Sequence, residues 1–285
     1  MVPSDSKGRT DVLLAMDVGN TETVVGVFGD SEGAPDLIGR GSGERGLAYH
    51  WRTSTVSSRT PDEHVLMLSQ LLGLVGLDVT RDIGALAISS SAPAVTTQLR
   101  RMTQRWFADR PTTILGPGVR TGMAILYDNP RDVGADRVAD AVGAYDLYPG
   151  PLIVVDLGTA TVFDVVSAKG EYLGGAIAPG VMVSLEALYA QASGLRSVEL
   201  TAPRSVIGRS TAESIQSGVL YGYAGQVDAM VARIKGEVGD ATVIATGGLA
   251  SLIAPHTRSV NHVEPWLTLH GLRIVHERHY AGEHT

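Results

Sequence analysis

Asp17-Val18-Gly19-Asn20-Thr21-Glu22-Thr23 and Asp156-Leu157-Gly158-Thr159-Ala160-Thr161 are two versions of one pattern. An apolar run precedes each, Val12 to Met16 and Leu152 to Val155, and a largely apolar run follows each, Val24 to Phe28 and Val162 to Val166. Each therefore reads as strand, tight turn, strand. The turn gathers a carboxylate, a glycine and hydroxyls. Glycine lets backbone come close to a ligand, and exposed N–H groups and hydroxyls can bind phosphate oxygens. The Asp can hold a cation that bridges those phosphates. One Asp-x-Gly is an ordinary turn. Two copies, one in each half of the chain, point to a duplicated fold closing on one nucleotide.

The bulk properties narrow the class. The chain has 285 residues, 44% apolar and 19% charged, as a globular protein with a large core would be. Its 34 glycines suit tight turns and close backbone–ligand contacts. Net charge is −7 with no basic stripe, so nucleic-acid binding has little electrostatic support. The absence of cysteine excludes disulfides, thiolate metal sites and Cys nucleophiles. Met1 to Asp11 is polar and no run of about 18 apolar residues occurs, so neither a signal peptide nor a membrane span is expected, and the expected location is the cytoplasm.

Residues 1–10 read as a disordered lead-in and 29–48 as a Gly-rich surface loop, with a strand at His50 to Thr55. Thr60-Pro61-Asp62-Glu63 is a capping box that starts a helix continuing through Val75. Ile83 to Ser89 and Thr112 to Leu115 read as strands, and Pro93 to Phe107 and Asp136 to Leu147 as helices. Strands are expected at 152–156, 161–167 and 172–177, helices at 184–191 and 210–237, a strand at Val243 to Thr246 and a closing helix at 267–277. The helix at 210–237 carries an apolar stripe that serves as core or as a dimer face. The pattern predicts two α/β halves, 11–147 and 148–285.

Several motifs carry no such chemistry. Gly41-Ser42-Gly43-Glu44-Arg45-Gly46 fits G-x-G-x-x-G, but no strand feeds it and no helix leaves it, so a dinucleotide site is rejected. No P-loop and no G-x-S-x-G elbow occur, and His276 and His279 lack a third zinc ligand. Tyr127-Asp128-Asn129-Pro130 and Gly134-Ala135-Asp136-Arg137 form the densest polar cluster outside the two turns. It reads either as a turn and a helix N-terminus, or as a substrate pocket with Asp136 as base and Arg137 holding an anion. Gly247-Gly248 is either a turn or a flat seat for an adenine.

These segments together resemble type III pantothenate kinases, of the acetate and sugar kinase/Hsp70/actin superfamily. The resemblance runs from about Leu13 to Arg278. It rests on both Asp-x-Gly turns, Gly118-Val119-Arg120-Thr121-Gly122, the 127–130 and 134–137 clusters, Gly170 to Gly180, and Ala245-Thr246-Gly247-Gly248. It implies an α/β fold of duplicated ribonuclease-H-like (actin-like ATPase) type, with mixed sheets flanked by helices, and a homodimer. It also implies ATP-dependent phosphorylation of pantothenate to 4′-phosphopantothenate, the first step of coenzyme A synthesis.

By the same likeness, Asp17, Val18, Gly19, Asn20, Thr21, Glu22, Thr23 and Val24 form the first phosphate loop, with Asp17 near Mg²⁺. Asp136 is the proton acceptor. Tyr127 and Gly134, Ala135, Asp136 and Arg137 line the pantothenate site. Asp156 holds K⁺ or NH₄⁺, Thr159, Gly247 and Gly248 meet ATP, and Thr211 contacts substrate from the partner subunit. Glu22 departs from the family's usual Asn and adds negative charge near phosphate, and Leu157 and Val162 replace the commoner Phe and Thr. Two other readings stand beside this one. One is a catalytically silent nucleotide-binding regulator on the same fold; the other is a kinase for another small hydroxylated metabolite.

Overall fold

The computed structural model describes residues 12–29, 46–192 and 194–281. The expected lead-in and most of the 29–48 loop, with Gly41 to Arg45, lie outside them. By packing, the chain forms two compact units. The first comprises the chain up to Gly122, Arg131–Ala139 and everything from Thr268; the second comprises Met123–Pro130 and Asp140–Leu267. The split expected at 147/148 follows sequence order, whereas packing interleaves the two.

In the first unit, β1 (Leu13–Val18) turns antiparallel into β2 (Glu22–Phe28), and β3 (Leu47–Ser54) continues the meander. Helix α1 (Pro61–Gly73) then leads to β4 (Ala85–Ser90), parallel to β1, and α2 (Pro93–Trp106) leads to β5 (Thr112–Ile114), parallel to β4. The sheet order is β3-β2-β1-β4-β5. β1 is central and almost wholly buried, which is why Leu13 to Met16 reads as an apolar run ahead of Asp17. The predicted capping box is present in α1: Glu63 N–H donates to Thr60 Oγ1 while Thr60 N–H donates to Glu63 Oε2 at 2.7 Å. β3 begins at Leu47, inside the stretch expected as loop, because Phe28 and Val27 pair with Leu47 and Tyr49.

In the second unit, β6 (Ala124–Ile125) stands alone in sequence, ahead of α3 (Ala135–Leu147), a helix whose residues fall in both units. β7 (Leu152–Leu157), β8 (Ala160–Val166) and β9 (Glu171–Pro179) form the second meander. Helices α4 (Val181–Gln191) and α5 (Thr211–Val238) follow, then β10 (Thr242–Thr246), the short α6 (Ala250–Ile253) and β11 (His262–Val263). The sheet order is β11-β10-β7-β8-β9-β6. Without β6, this repeats the order of the first sheet. The duplication inferred from the two turns is thus a duplication of topology.

Helix α7 (Leu267–Ala281) packs with the first unit although it comes last in the chain. Gly26 on β2 makes room for Leu269, and the Tyr280 hydroxyl accepts from Thr112 N–H at 2.9 Å. Each unit has its own core. One is built on Leu14, Met16, Leu68, Leu86, Ile88 and Leu99, the other on Ile153, Val155, Phe163, Leu220, Val227 and Val243.

Candidate active site

In the first turn, Gly19 N–H donates to the Glu22 carbonyl at 2.9 Å and closes the hairpin. Asn20, Thr21 and Glu22 stand exposed at its tip, where backbone and side chains can meet a phosphate. Val18 is fully buried and can contribute only backbone. Thr23 is also buried, and its hydroxyl is engaged with Thr55 Oγ1 at 2.8 Å. Val24 is half-buried. Glu22, the departure in the loop, pairs with Arg52 Nη1 at 2.6 Å and remains half-exposed.

Asp17 stands in register with Ser89 on β4, and the Ser89 hydroxyl donates to Asp17 Oδ1 at 2.6 Å. Burial pushes the Asp17 carboxyl up to about 6; the Ser89 bond opposes this, the nearby Asp136 charge adds to it, and Arg52 opposes it. Asp136 lies in the first turn of α3, where the helix dipole favours an anion. Arg137 N–H donates to Asp136 Oδ1 at 2.8 Å and fixes the carboxylate. Gly134 leaves space for it, since a Cβ there would lie 2.5 Å from Oδ1. Ala135 and Arg137 flank it, both half-buried. Two of the expected acids are therefore within electrostatic reach of each other in one unit.

The second turn has the same Asp-x-Gly start and is one residue shorter. Gly158 N–H donates to the Ala160 carbonyl at 3.1 Å, and Thr159 stands exposed at the tip. Asp156 pairs in register with Thr246 at the end of β10. Gly247 follows with φ of 90°, and any side chain there would collide with the Asp156 carboxylate and the Leu157 backbone. Gly248 is exposed beside it. Gly180 is pressed equally tightly onto the Thr159 and Gly158 carbonyls. A carboxylate surrounded by close backbone is oxygen-rich, as a hard cation prefers. Tyr127, 37% exposed, and Thr211, exposed at the start of α5, also lie in this unit.

The model of the type III pantothenate kinase family matches residues 13–233. A type III pantothenate kinase from Streptomyces griseus is 48% identical over 277 residues, covering 95% of this chain and 99% of that protein. One from Myxococcus xanthus is 49% identical over 272 residues, covering 95% and 100%. The chain belongs to the type III pantothenate kinase family.

Distant solved structures carry the same fold. The activator of 2-hydroxyisocaproyl-CoA dehydratase from Clostridium difficile, with bound ADPNP, is 14% identical, with a TM-score of 0.53 over 96% of this chain and 98% of that one. A putative Baf family transcriptional activator from Campylobacter jejuni is 17% identical, with a TM-score of 0.54 over 92% and 96%. Within this fold the structure adds two residues that the motifs did not name, Ser89 and Arg52, which act on Asp17, and it shows Gly180, the end of the Gly170–Gly180 segment, supporting the second turn. The run Ser89-Ser90-Ser91 at a strand end was the available signal for the first.

Among the described residues no helix is long and apolar enough to cross a membrane. Among them, too, no three His, Asp or Glu side chains converge as a metal site. A divalent ion at Asp17 would complete its shell from nucleotide phosphates and water, as Mg²⁺ does with ATP.

Proposed function

We propose that this chain transfers the γ-phosphoryl group of ATP to the primary hydroxyl of pantothenate, giving 4′-phosphopantothenate for coenzyme A synthesis. The observation that carries the reading is the approach of Asp136, at a helix start, to Asp17, at the foot of a phosphate-type turn. Phosphoryl transfer passes through a loose transition state and asks for alignment and charge stabilisation more than for covalent help. The 17–24 turn binds the ATP phosphates. Asp17 fits Mg²⁺: its carboxylate is held by Ser89 and raised by burial and by a like charge, a situation that a cation relieves. Mg²⁺, when bound, neutralises phosphate charge.

Asp136, oriented through its Oδ1, accepts the hydroxyl proton. Tyr127, Gly134, Ala135 and Arg137 hold pantothenate, with Arg137 suited to its carboxylate. Thr159, Gly247 and Gly248 hold nucleotide, and Asp156 holds K⁺ or NH₄⁺ in place of a lysine. The enzyme works in the cytoplasm as a homodimer in which the partner supplies Thr211. Exposed Ile177, Met182, Val183 and Leu188 on β9 and α4, with Val206 and Ile207 ahead of Thr211, favour a covered surface there.

The test is ADP release from Mg-ATP and pantothenate, in K⁺ or NH₄⁺ against Na⁺, beside Asp136→Asn. Turnover should require pantothenate, rise with K⁺ or NH₄⁺, and fall by roughly 10²- to 10⁴-fold in the variant. Folded protein that binds ATP and turns over nothing would sink the kinase and leave the regulator.

A further inference from the structure

β6, which leads into the segment that carries Tyr127, pairs with β9. Ile125 pairs in register with Tyr172, and Leu126 N–H donates to the Tyr172 carbonyl at 2.8 Å. The Tyr127 ring then lies against the Tyr172 ring, centroids 6.3 Å apart and planes tilted by 55°. It also covers Gly174, where a Cβ would come 3.4 Å from Tyr127 Cε2.

β9 achieves this through a bulge. Val165 pairs with Gly174 and Val166 with Tyr172, so Leu173 is the additional residue. Such a bulge re-aims the side chains on either side of it. Leu173 points out, Tyr172 is fully buried and Gly174 takes φ of 123°. Gly175 follows because any Cβ there would collide with the Phe163 carbonyl. The Tyr172 hydroxyl donates to Asp164 Oδ1 at 2.7 Å, and Asp164 is only 1% exposed. A carboxylate is costly to bury. Here it anchors one aromatic ring, and that ring backs another at the candidate substrate site.

We propose that Tyr172, anchored by Asp164, and Gly174 are positioning residues that set the place of the Tyr127 ring and with it the fit of pantothenate. The proposal rests on the assignment of Tyr127 to the pantothenate site. Tyr172→Phe keeps the ring and removes the anchor. Gly174→Ala adds a methyl under Tyr127 at a backbone angle that alanine rarely takes. Each should raise KM for pantothenate by roughly tenfold while KM for ATP stays within about twofold. In a Tyr127→Ala background neither should have a further effect on pantothenate KM, because both act through that ring. Additive effects, or equal rises in both KM values, would overturn the proposal.

A second readout is independent of turnover. Protein labelled with fluorotyrosine, with the Tyr127 signal assigned by Tyr127→Phe, should show that signal shifted in both variants. An unmoved signal overturns the proposal whether or not pantothenate is the substrate. A wild-type protein inactive on pantothenate sinks the functional reading alone, and the fluorine signal still decides the positioning role. Tyr172→Phe, which removes one oxygen, keeps the test alive if Gly174→Ala fails to fold.

Discussion

Burial raises the Asp17 carboxyl, and the Ser89 hydroxyl opposes that rise. That hydroxyl is fully buried and donates to a carboxylate that burial has already raised to about 6. The sign follows directly. A carboxyl raised above its ordinary value favours the folded state below about pH 4, and that contribution is lost as pH rises through about 6. Cation binding needs the ionised form, so affinity for Mg-ATP should fall as pH drops below about 6. Ser89→Ala removes an interaction that lowers the pKa, so the acid limb of kcat/KM for Mg-ATP should move to higher pH. A pH–rate profile of both proteins checks this, and an acid limb that stays in place would separate Asp17 from nucleotide binding. Neither Ser89 nor Arg52 was legible in the motifs. Asp17 and the Asp-x-Gly turn are local in sequence, whereas Ser89 is 72 residues away and reaches Asp17 only because β1 and β4 pair in parallel. Glu22 shows the same limit. Its type signalled a charge near phosphate, but only the register of β2 and β3 reveals its ion pair with Arg52.

At the scale of elements, what was legible was what the backbone states locally. Both hairpins, the α1 capping box and the buried central strands follow from turn chemistry and hydrophobic period. Thr60 offers a direct check. Thr60→Ala should remove the bonds made by Thr60 Oγ1, keep the backbone Thr60 N–H to Glu63 Oε2 bond, and cost about 1 kcal/mol. Thermal unfolding should show Tm lower by a few degrees with Mg-ATP binding unchanged; an equal Tm would mean that packing of Val65, Leu68 and Leu72 alone fixes the helix. What was not legible is short or bent. β6 and β11 have two residues each and α6 has four, too few for a period to show. Yet β6 sets the path of Tyr127, and the β9 bulge supplies its seat. The grouping of α7 with the first unit was equally invisible, because an apolar helix face does not say which sheet it will cover.

At the scale of the whole molecule, the proposed assembly makes a claim that single-chain variants cannot test. If Asp136 acts in its own subunit and Thr211 reaches the site from the partner, two inactive proteins can repair each other. Thr211 suits that role: it is exposed at the start of the 28-residue α5, immediately after the Ser210 cap and close in sequence to Val206 and Ile207, two of the more exposed apolar side chains. Asp136→Asn and Thr211→Ala should each be nearly inactive alone. Mixed after subunit exchange, half of the dimers are hybrids, and each hybrid holds one site with both an intact Asp136 and an intact Thr211. Activity should return to about a quarter of wild type under random pairing. An Ile207→Glu change, which places charge on the surface to be covered, should weaken the dimer in sedimentation and lower activity in step with it. A mixture that stays inactive while exchange is demonstrated would put Thr211 in its own subunit's site, and a Thr211→Ala protein that keeps its activity would put Thr211 outside the site altogether. A monomer with full activity would remove the partner from the mechanism.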